Sequence, residues 1–114
     1  MPEVDTALRV LLVTAPAEAA PALVRALVER RLVACGNIVP GVRSIYVWNG
    51  EVCDEQEVVI LLETAAVRVD AAMQAIRATH PYACPKIVAF DPAAVDRDYA
   101  AWVVAATTAP PVNG

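Results

Sequence analysis

The sequence predicts a single α+β domain in which two helices pack on one sheet in the order βαββαβ. Three observations lead to this prediction. Short apolar segments typical of strands alternate with segments whose apolar residues recur at helical spacing. An Asn49-Gly50 pair, the strongest short-range signal for a β-hairpin, lies near the centre of the chain. The length of 114 residues fits one compact domain and leaves no room for two.

The first half of the chain predicts a central strand, a helix and the first arm of the hairpin. Residues 8–14 are nearly all apolar and rich in branched side chains, as in a buried strand. Two prolines mark the start of a helix that we expect over residues 17–32, because proline costs little in a first turn. The hairpin sets Trp48 opposite Glu51, and Pro40-Gly41 predicts a bulge in a strand at the sheet edge.

The second half supplies the remaining elements. We expect the second hairpin strand to continue through 58–62, a second helix over 66–79, a strand over 86–90 and a third helix capped by Asp96 or Asp98. Right-handed crossovers place the first two helices on the same face. The prediction is therefore a ferredoxin-like sandwich with an extra C-terminal helix. Its ordered core spans about residues 8–106, and the Pro-rich tail at 107–114 is expected to fray.

The predicted sheet requires more than one copy of the chain. Both central strands, 8–14 and 58–62, are apolar on their two sides, and helices on one face leave the other face bare. A hairpin arm of about 13 residues reaches about 43 Å, whereas a helix of about 15 residues covers about 22 Å. A closed homo-oligomer buries both the bare face and the projecting arm. The alternative is a monomer whose third helix crosses the open face.

Composition and charge exclude several classes of function. The formal net charge of −4 argues against nucleic acid and anionic membranes as partners. The acidic start and the lack of an apolar run of about 20 residues predict a cytoplasmic protein. The three cysteines lack a CxxC pair, which predicts reduced thiols rather than a disulfide framework or a zinc ribbon. No GxSxG, HExxH or Walker motif occurs, so we expect no catalysis. The residues alone leave a Cys–His dyad of His80 with Cys35 or Cys84 open, although no group that would orient the base is evident.

Five segments, at matching separations, closely resemble the CutA family of divalent-cation tolerance proteins. They are residues 13–16, 32–41, 44–50, 80–82 and 99–102, with the sequences VTAP, LVACGNIVPG, SIYVWNG, HPY and YAAW. The resemblance covers about residues 8–104. It implies a ferredoxin-like homotrimer, a cytoplasmic location, and a link to copper and other divalent cations without an organic cofactor.

His80 and Cys35 are the candidate ligands for such a cation. His80 is the only histidine, and its ring at the end of the second helix suits either a structural role or metal binding. In family members with a proposed copper site, the ligands are a first-strand cysteine and two histidines before Pro-Tyr. Val13 and Thr79 occupy two of those positions here, so only His80 matches. Cys35 is either a small core thiol or a second ligand. We therefore expect weak metal binding, with a site completed across subunits as an alternative.

Aromatic residues predict the surfaces between subunits. We expect Tyr46, Val47 and Trp48 on the hairpin, and Tyr99 and Trp102 on the third helix, to pack at an interface rather than line a ligand pocket. Two other functions stay open at this stage. One is a small-molecule sensor like the trimeric PII signalling proteins, against which stands the lack of a Gly-rich or basic phosphate cradle. The other is a structural hub for a protein partner.

Overall fold

The computed structural model describes residues 7–112 and has the predicted order of elements. These elements are β1 (Leu8–Ala15), α1 (Ala20–Glu29), β2 (Cys35–Trp48), β3 (Glu51–Ala65), a 3₁₀ turn (Ala66–Arg68), α2 (Val69–Thr79), β4 (Ile87–Phe90) and α3 (Arg97–Thr108). Within these residues the strands form one antiparallel sheet in the order β2-β3-β1-β4. Among the same residues, no helix is long and apolar enough to cross a membrane.

One face of the sheet carries the main core. Leu11 of β1 pairs with Leu62 of β3, and both side chains are fully buried beneath α1 and α2. The buried helix residues recur at helical spacing, as the sequence predicted, and Ile76 is fully enclosed. Val69 and Met73 of α2 pack against this core while partly exposed.

Helix α1 is shorter than the predicted 17–32 at both ends. Residues before Ala20 form a turn, in which the Ala19 N–H donates to the Pro16 carbonyl at 3.0 Å. At the other end Arg31 adopts a φ of 61°, and the Leu32 N–H donates to the Leu27 carbonyl. This is the Schellman arrangement, which ends a helix at a left-handed residue, most often glycine. Because arginine fills that position here, the sequence carried no signal for the stop.

Helix α3 packs on one end of the opposite face, which we call the open face. Ala100 and Val103 of α3 are buried there against Leu8 of β1. The rest of the open face is uncovered within the described chain: Val39, Val88 and Phe90 are 39–48% exposed. The monomeric alternative, in which α3 covers this face, therefore holds for one end of the sheet only.

The hairpin projects from the sheet as an arm. The pairing of β1 with β3 ends at Ala15 and Val58, and beyond that point β3 pairs only with β2. The predicted register is confirmed, since Trp48 lies opposite Glu51 and Asn49 and Gly50 both have positive φ. The predicted bulge is also present between Val39 and Val42. We call the paired residues 42–57 the arm.

Residues 107–112, the described part of the Pro-rich tail, contact residues that are distant in the chain. Thr107 lies within α3 and is fully buried, and its carbonyl accepts a 2.8 Å hydrogen bond from Nε of Arg68. Beyond the helix, the Arg31 Nε donates to the Pro110 carbonyl and the Val112 N–H donates to the Glu29 carbonyl. Contacts with distant residues therefore hold the segment as far as Val112, and the last two residues of the expected tail lie outside the described ones.

Candidate functional site

A cleft of about 720 Å³ lies on the open face, between the arm and the segment that follows α2. The arm and the central strands supply most of its lining, and residues 82–86 supply the other wall. The aromatic, titratable and thiol side chains of the lining include Tyr46, Trp48, Glu55, Glu57, Tyr82, Cys84 and Lys86.

His80 anchors the segment that forms the second wall. Its ring is buried, with Nε2 2.8 Å from the Thr14 carbonyl of β1 and Nδ1 3.1 Å from the Tyr82 amide nitrogen. A carbonyl only accepts and an amide N–H only donates, so this network assigns a neutral ring with its proton on Nε2. Both ring nitrogens are therefore engaged by backbone. A metal could bind His80 only after one of these hydrogen bonds was broken.

Tyr82 and Glu57 both line the cleft and are joined by a hydrogen bond. The Tyr82 hydroxyl donates to Oε2 of Glu57 at 2.7 Å, and the Glu57 side chain is 7% exposed. Burial, followed by the hydrogen bond to Glu57 and its charge, raises the pKa of Tyr82 well above its usual value. Tyr82 therefore remains a protonated donor near neutral pH.

Glu57 is buried although its place in the chain does not suggest it. It ends the acidic run Asp54-Glu55-Gln56-Glu57, whose composition is typical of a solvated strand face, but Glu57 itself is 7% exposed. It shares its side of β3 with Val59, which lies opposite Thr14 at the buried base of the arm. The alternation of side chains along β3 could have indicated that Glu57 is buried, because Glu57, Val59 and Leu61 lie on the same side of the strand.

Cys35 lies in a different part of the molecule. It begins β2 opposite Glu63, which accepts a 3.0 Å hydrogen bond from the Tyr99 hydroxyl. Burial, followed by the charge of Glu63, raises the pKa of the Cys35 thiol, while a hydrogen bond with Tyr99 opposes the rise. The thiol is half-buried rather than enclosed in the core.

The structure does not bring the two candidate ligands together within one chain. Cys35 lies opposite Glu63, whereas His80 contacts Thr14, which lies opposite Val59. Four residues of β3 separate these points, which corresponds to about 13 Å along a strand. Over residues 7–112, no group of three His, Cys, Asp or Glu side chains is close enough to hold a metal ion. One chain therefore does not present a complete cation site.

The five residues expected at an interface form two exposed groups. On the arm, Tyr46 and Trp48 share one side, and Val47, 67% exposed, lies on the other. On α3, the rings of Tyr99 and Trp102 stack with centroids 5.8 Å apart, and Trp102 is 52% exposed. Both groups border the open face.

Comparison with known proteins shows a consistent likeness. Residues 9–106 match the family model described as CutA1 divalent ion tolerance protein. The divalent-cation tolerance protein CutA of Thermus thermophilus is 44% identical over 95 residues, which are 82% of this chain and 92% of that protein.

Solved structures agree in fold. The apo form of a PII-like protein CutA from Nostoc is 36% identical, with a TM-score of 0.83 over 87% of this chain and 96% of that one. A CutA from Archaeoglobus fulgidus, described as periplasmic, is 25% identical, with a TM-score of 0.84 over 88% of this chain and 98% of its own. The cytoplasmic location expected from the sequence is therefore not confirmed by these comparisons.

Proposed function

Because this chain belongs to the CutA family of divalent ion tolerance proteins, we propose that it acts in divalent-cation tolerance as a cytoplasmic homotrimer. It binds copper or another divalent cation weakly and has no catalytic activity of its own. The observation that carries this proposal is the uncovered part of the open face. Its apolar side chains remain exposed after the chain's own helices have packed, and such surfaces are typical of protein interfaces.

Sedimentation of the purified protein at micromolar concentration tests the assembly. The expected species has three times the chain's mass of 12.1 kDa, and a single folded 12.1 kDa species would refute the trimer. Phe90→Glu should weaken the assembly, because Phe90 lies on the open face. Val67→Glu is the matched control, since Val67 is 83% exposed in the 3₁₀ turn beyond the sheet. Equal effects of the two substitutions would contradict the proposed interface.

Cation binding is proposed at a site that neighbouring subunits complete. Of the two ligands expected from the sequence, the geometry favours Cys35, which is partly exposed and lies opposite the carboxylate of Glu63. Thiolate favours Cu(I), and both thiolate and carboxylate are known ligands of divalent metals. His80 is the poorer candidate, because both its ring nitrogens already have partners.

Calorimetric titration of the reduced protein with Cu(I) and Cu(II) tests these ligands. We expect Cys35→Ser to weaken binding by about tenfold or more, as loss of one soft ligand should. Cys53→Ser, which removes another partly exposed thiol on the arm, should leave the affinity unchanged. A Cys35→Ser protein that binds copper like the wild type would remove Cys35 from the site, and the same result with His80→Ala would remove His80.

A second candidate function is that of a small-molecule sensor. The cleft of about 720 Å³ favours it, since this volume falls in the range of ligand sites. One solved relative is described as PII-like, which also supports this alternative. A thermal-shift screen with nucleotides, organic acids and organic amines tests it. Stabilisation by a small molecule, with metal ions without effect, would favour the sensor over the cation-binding function.

A further inference from the structure

An arginine closes the C-terminal end of α1 in a conformation that favours glycine. Arg31 has a φ of 61°, and its N–H donates to the Val28 carbonyl at 3.0 Å. Any side chain in the left-handed region is strained relative to glycine. The Arg31 guanidinium offsets this cost, because its charge lies at the negative end of α1 and its Nε donates to the Pro110 carbonyl at 3.1 Å. Arg31 therefore joins the end of α1 to the C-terminal part of the chain.

The segment that Arg31 contacts, residues 107–112, makes two further hydrogen bonds. We call it the C-terminal segment. The Val112 N–H donates to the Glu29 carbonyl at 2.8 Å, and Nε of Arg68 donates to the Thr107 carbonyl at 2.8 Å. Glu29 ends α1 and Thr107 lies in the last turn of α3, where carbonyls have no partner within their own helix. These bonds therefore complete the ends of two helices that lie on opposite faces of the sheet.

Helix α3 depends on such bonds, because its own apolar anchor is small. Its buried residues, Ala100, Val103 and Thr107, are no larger than valine. Hydrophobic stabilisation scales with the apolar area that is buried, so these side chains contribute little of it. Two prolines at 110 and 111 fix φ and cannot continue the helix, which stiffens the C-terminal segment. Hydrogen bonds therefore contribute a large share of what holds α3 in place.

We propose that the C-terminal segment is a latch that fixes α3 on the open face, and that Arg31 holds this latch closed. Helix α3 carries the stacked rings of Tyr99 and Trp102, which we expect between subunits. Opening the latch releases α3, displaces these two rings and loosens the assembly. The effect on assembly rests on the proposed homotrimer, whereas the latch itself depends only on contacts within one chain.

Hydrogen exchange measured by mass spectrometry on the full chain tests the latch. Arg31→Asn removes the guanidinium, and asparagine tolerates the left-handed conformation. Arg30→Asn is the matched control, because it removes the same charge one residue earlier. The Arg30 side chain has no hydrogen bond or ion pair with any residue from 7 to 112.

We expect exchange over residues 97–108 to be about tenfold faster in Arg31→Asn than in Arg30→Asn, as loss of one charge-assisted hydrogen bond should produce. Exchange over α2 should be the same in the two variants. Equal exchange of α3 in both variants would overturn the latch, whatever the oligomeric state. Equal acceleration of α2 and α3 would also overturn it, because this would be general destabilisation.

A second pair of variants leaves α1 unchanged and covers the case in which Arg31→Asn does not fold. Val112→Pro removes the N–H that bonds to the Glu29 carbonyl, whereas Val112→Ala keeps it. We expect Val112→Pro to speed exchange of α3 several fold relative to Val112→Ala. Indistinguishable exchange in these two variants would contradict the latch.

Sedimentation of the same variants tests the effect on assembly. Arg31→Asn should dissociate at a protein concentration several fold higher than Arg30→Asn does. Faster exchange of α3 with unchanged assembly would refute the link between the latch and the interface. A wild type that sediments as a single 12.1 kDa chain would refute the homotrimer and this link together. The exchange experiment would then still decide the latch.

Discussion

The hydrogen bonds of the His80 ring indicate a structural histidine rather than a metal ligand. The substitution His80→Ala tests this interpretation. The substitution removes a buried side chain that bonds to the backbone at both nitrogens, at 2.8 Å from the Thr14 carbonyl and 3.1 Å from the Tyr82 nitrogen. Each unsatisfied backbone group costs about 1–3 kcal/mol, so the two together should cost about 2–6 kcal/mol. This is a large share of a domain stability of about 5–15 kcal/mol.

Two conservative variants separate the two hydrogen bonds. The amide oxygen of asparagine can occupy the place of Nδ1, and the amide nitrogen of glutamine can occupy the place of Nε2. His80→Asn should therefore retain the bond from Tyr82, and His80→Gln should retain the bond to Thr14. Each is expected to cost about half as much free energy as His80→Ala, because one backbone group stays satisfied.

Urea unfolding followed by circular dichroism measures these costs. Protein concentration must be held fixed, because subunit assembly changes the apparent stability. The expected result is a lower midpoint at an unchanged slope, with alanine the most destabilising. A cost below about 1 kcal/mol for His80→Ala would refute the structural interpretation, since it is less than one lost buried hydrogen bond. The same interpretation fails if the variant keeps its stability but loses copper affinity.

Four further outcomes follow from the contacts of three residues. Tyr82→Phe should lower the free energy of unfolding by about 1–3 kcal/mol, because it removes a 2.7 Å hydrogen bond to buried Glu57, and unchanged urea unfolding at pH 8 would contradict this. The folded-state pKa of Tyr82 is raised, so its contribution to the free energy of unfolding is complete below the ordinary tyrosine pKa of about 10 and is lost as the pH rises above that value. Between pH 9 and 11, the wild type should therefore lose stability more steeply than Tyr82→Phe. Parallel plots of stability against pH for the two proteins would contradict this. Gly36→Ala should destabilise the folded protein by about 1–3 kcal/mol, because a Cβ there would lie 2.5 Å from Cγ1 of Val24 and 2.9 Å from Cδ2 of Leu62. An unchanged melting temperature would show that the Val24 and Leu62 side chains move aside at no cost. Cys35 should react with a maleimide at pH 7 more slowly than exposed Cys84, because burial and Glu63 raise its thiol pKa; peptide mapping that finds Cys35 labelled first would contradict this order.

Local chemistry explains what could be predicted from the sequence. The hairpin register follows from Asn49-Gly50, since a two-residue turn fixes which residues lie opposite each other. The bulge after Val39 follows equally from Pro40-Gly41. Strand and helix periodicity predicted the element order in the same way, and Cys35 and His80 could be selected by residue type alone. Each of these features depends on residues that are close neighbours along the chain.

Contacts between distant residues decided the rest. His80 meets a carbonyl 66 residues away, and only this approach shows that its ring is held by backbone. Glu57 receives its hydrogen bond from Tyr82, 25 residues away, which makes it the buried charge of a cleft rather than a solvated residue. The sequence alone determined which segments become strands and helices, because those preferences are local. Which polar groups end up buried, and with which partners, depends on how the arm and the segment after α2 pack across the sheet, and only the tertiary structure decided that.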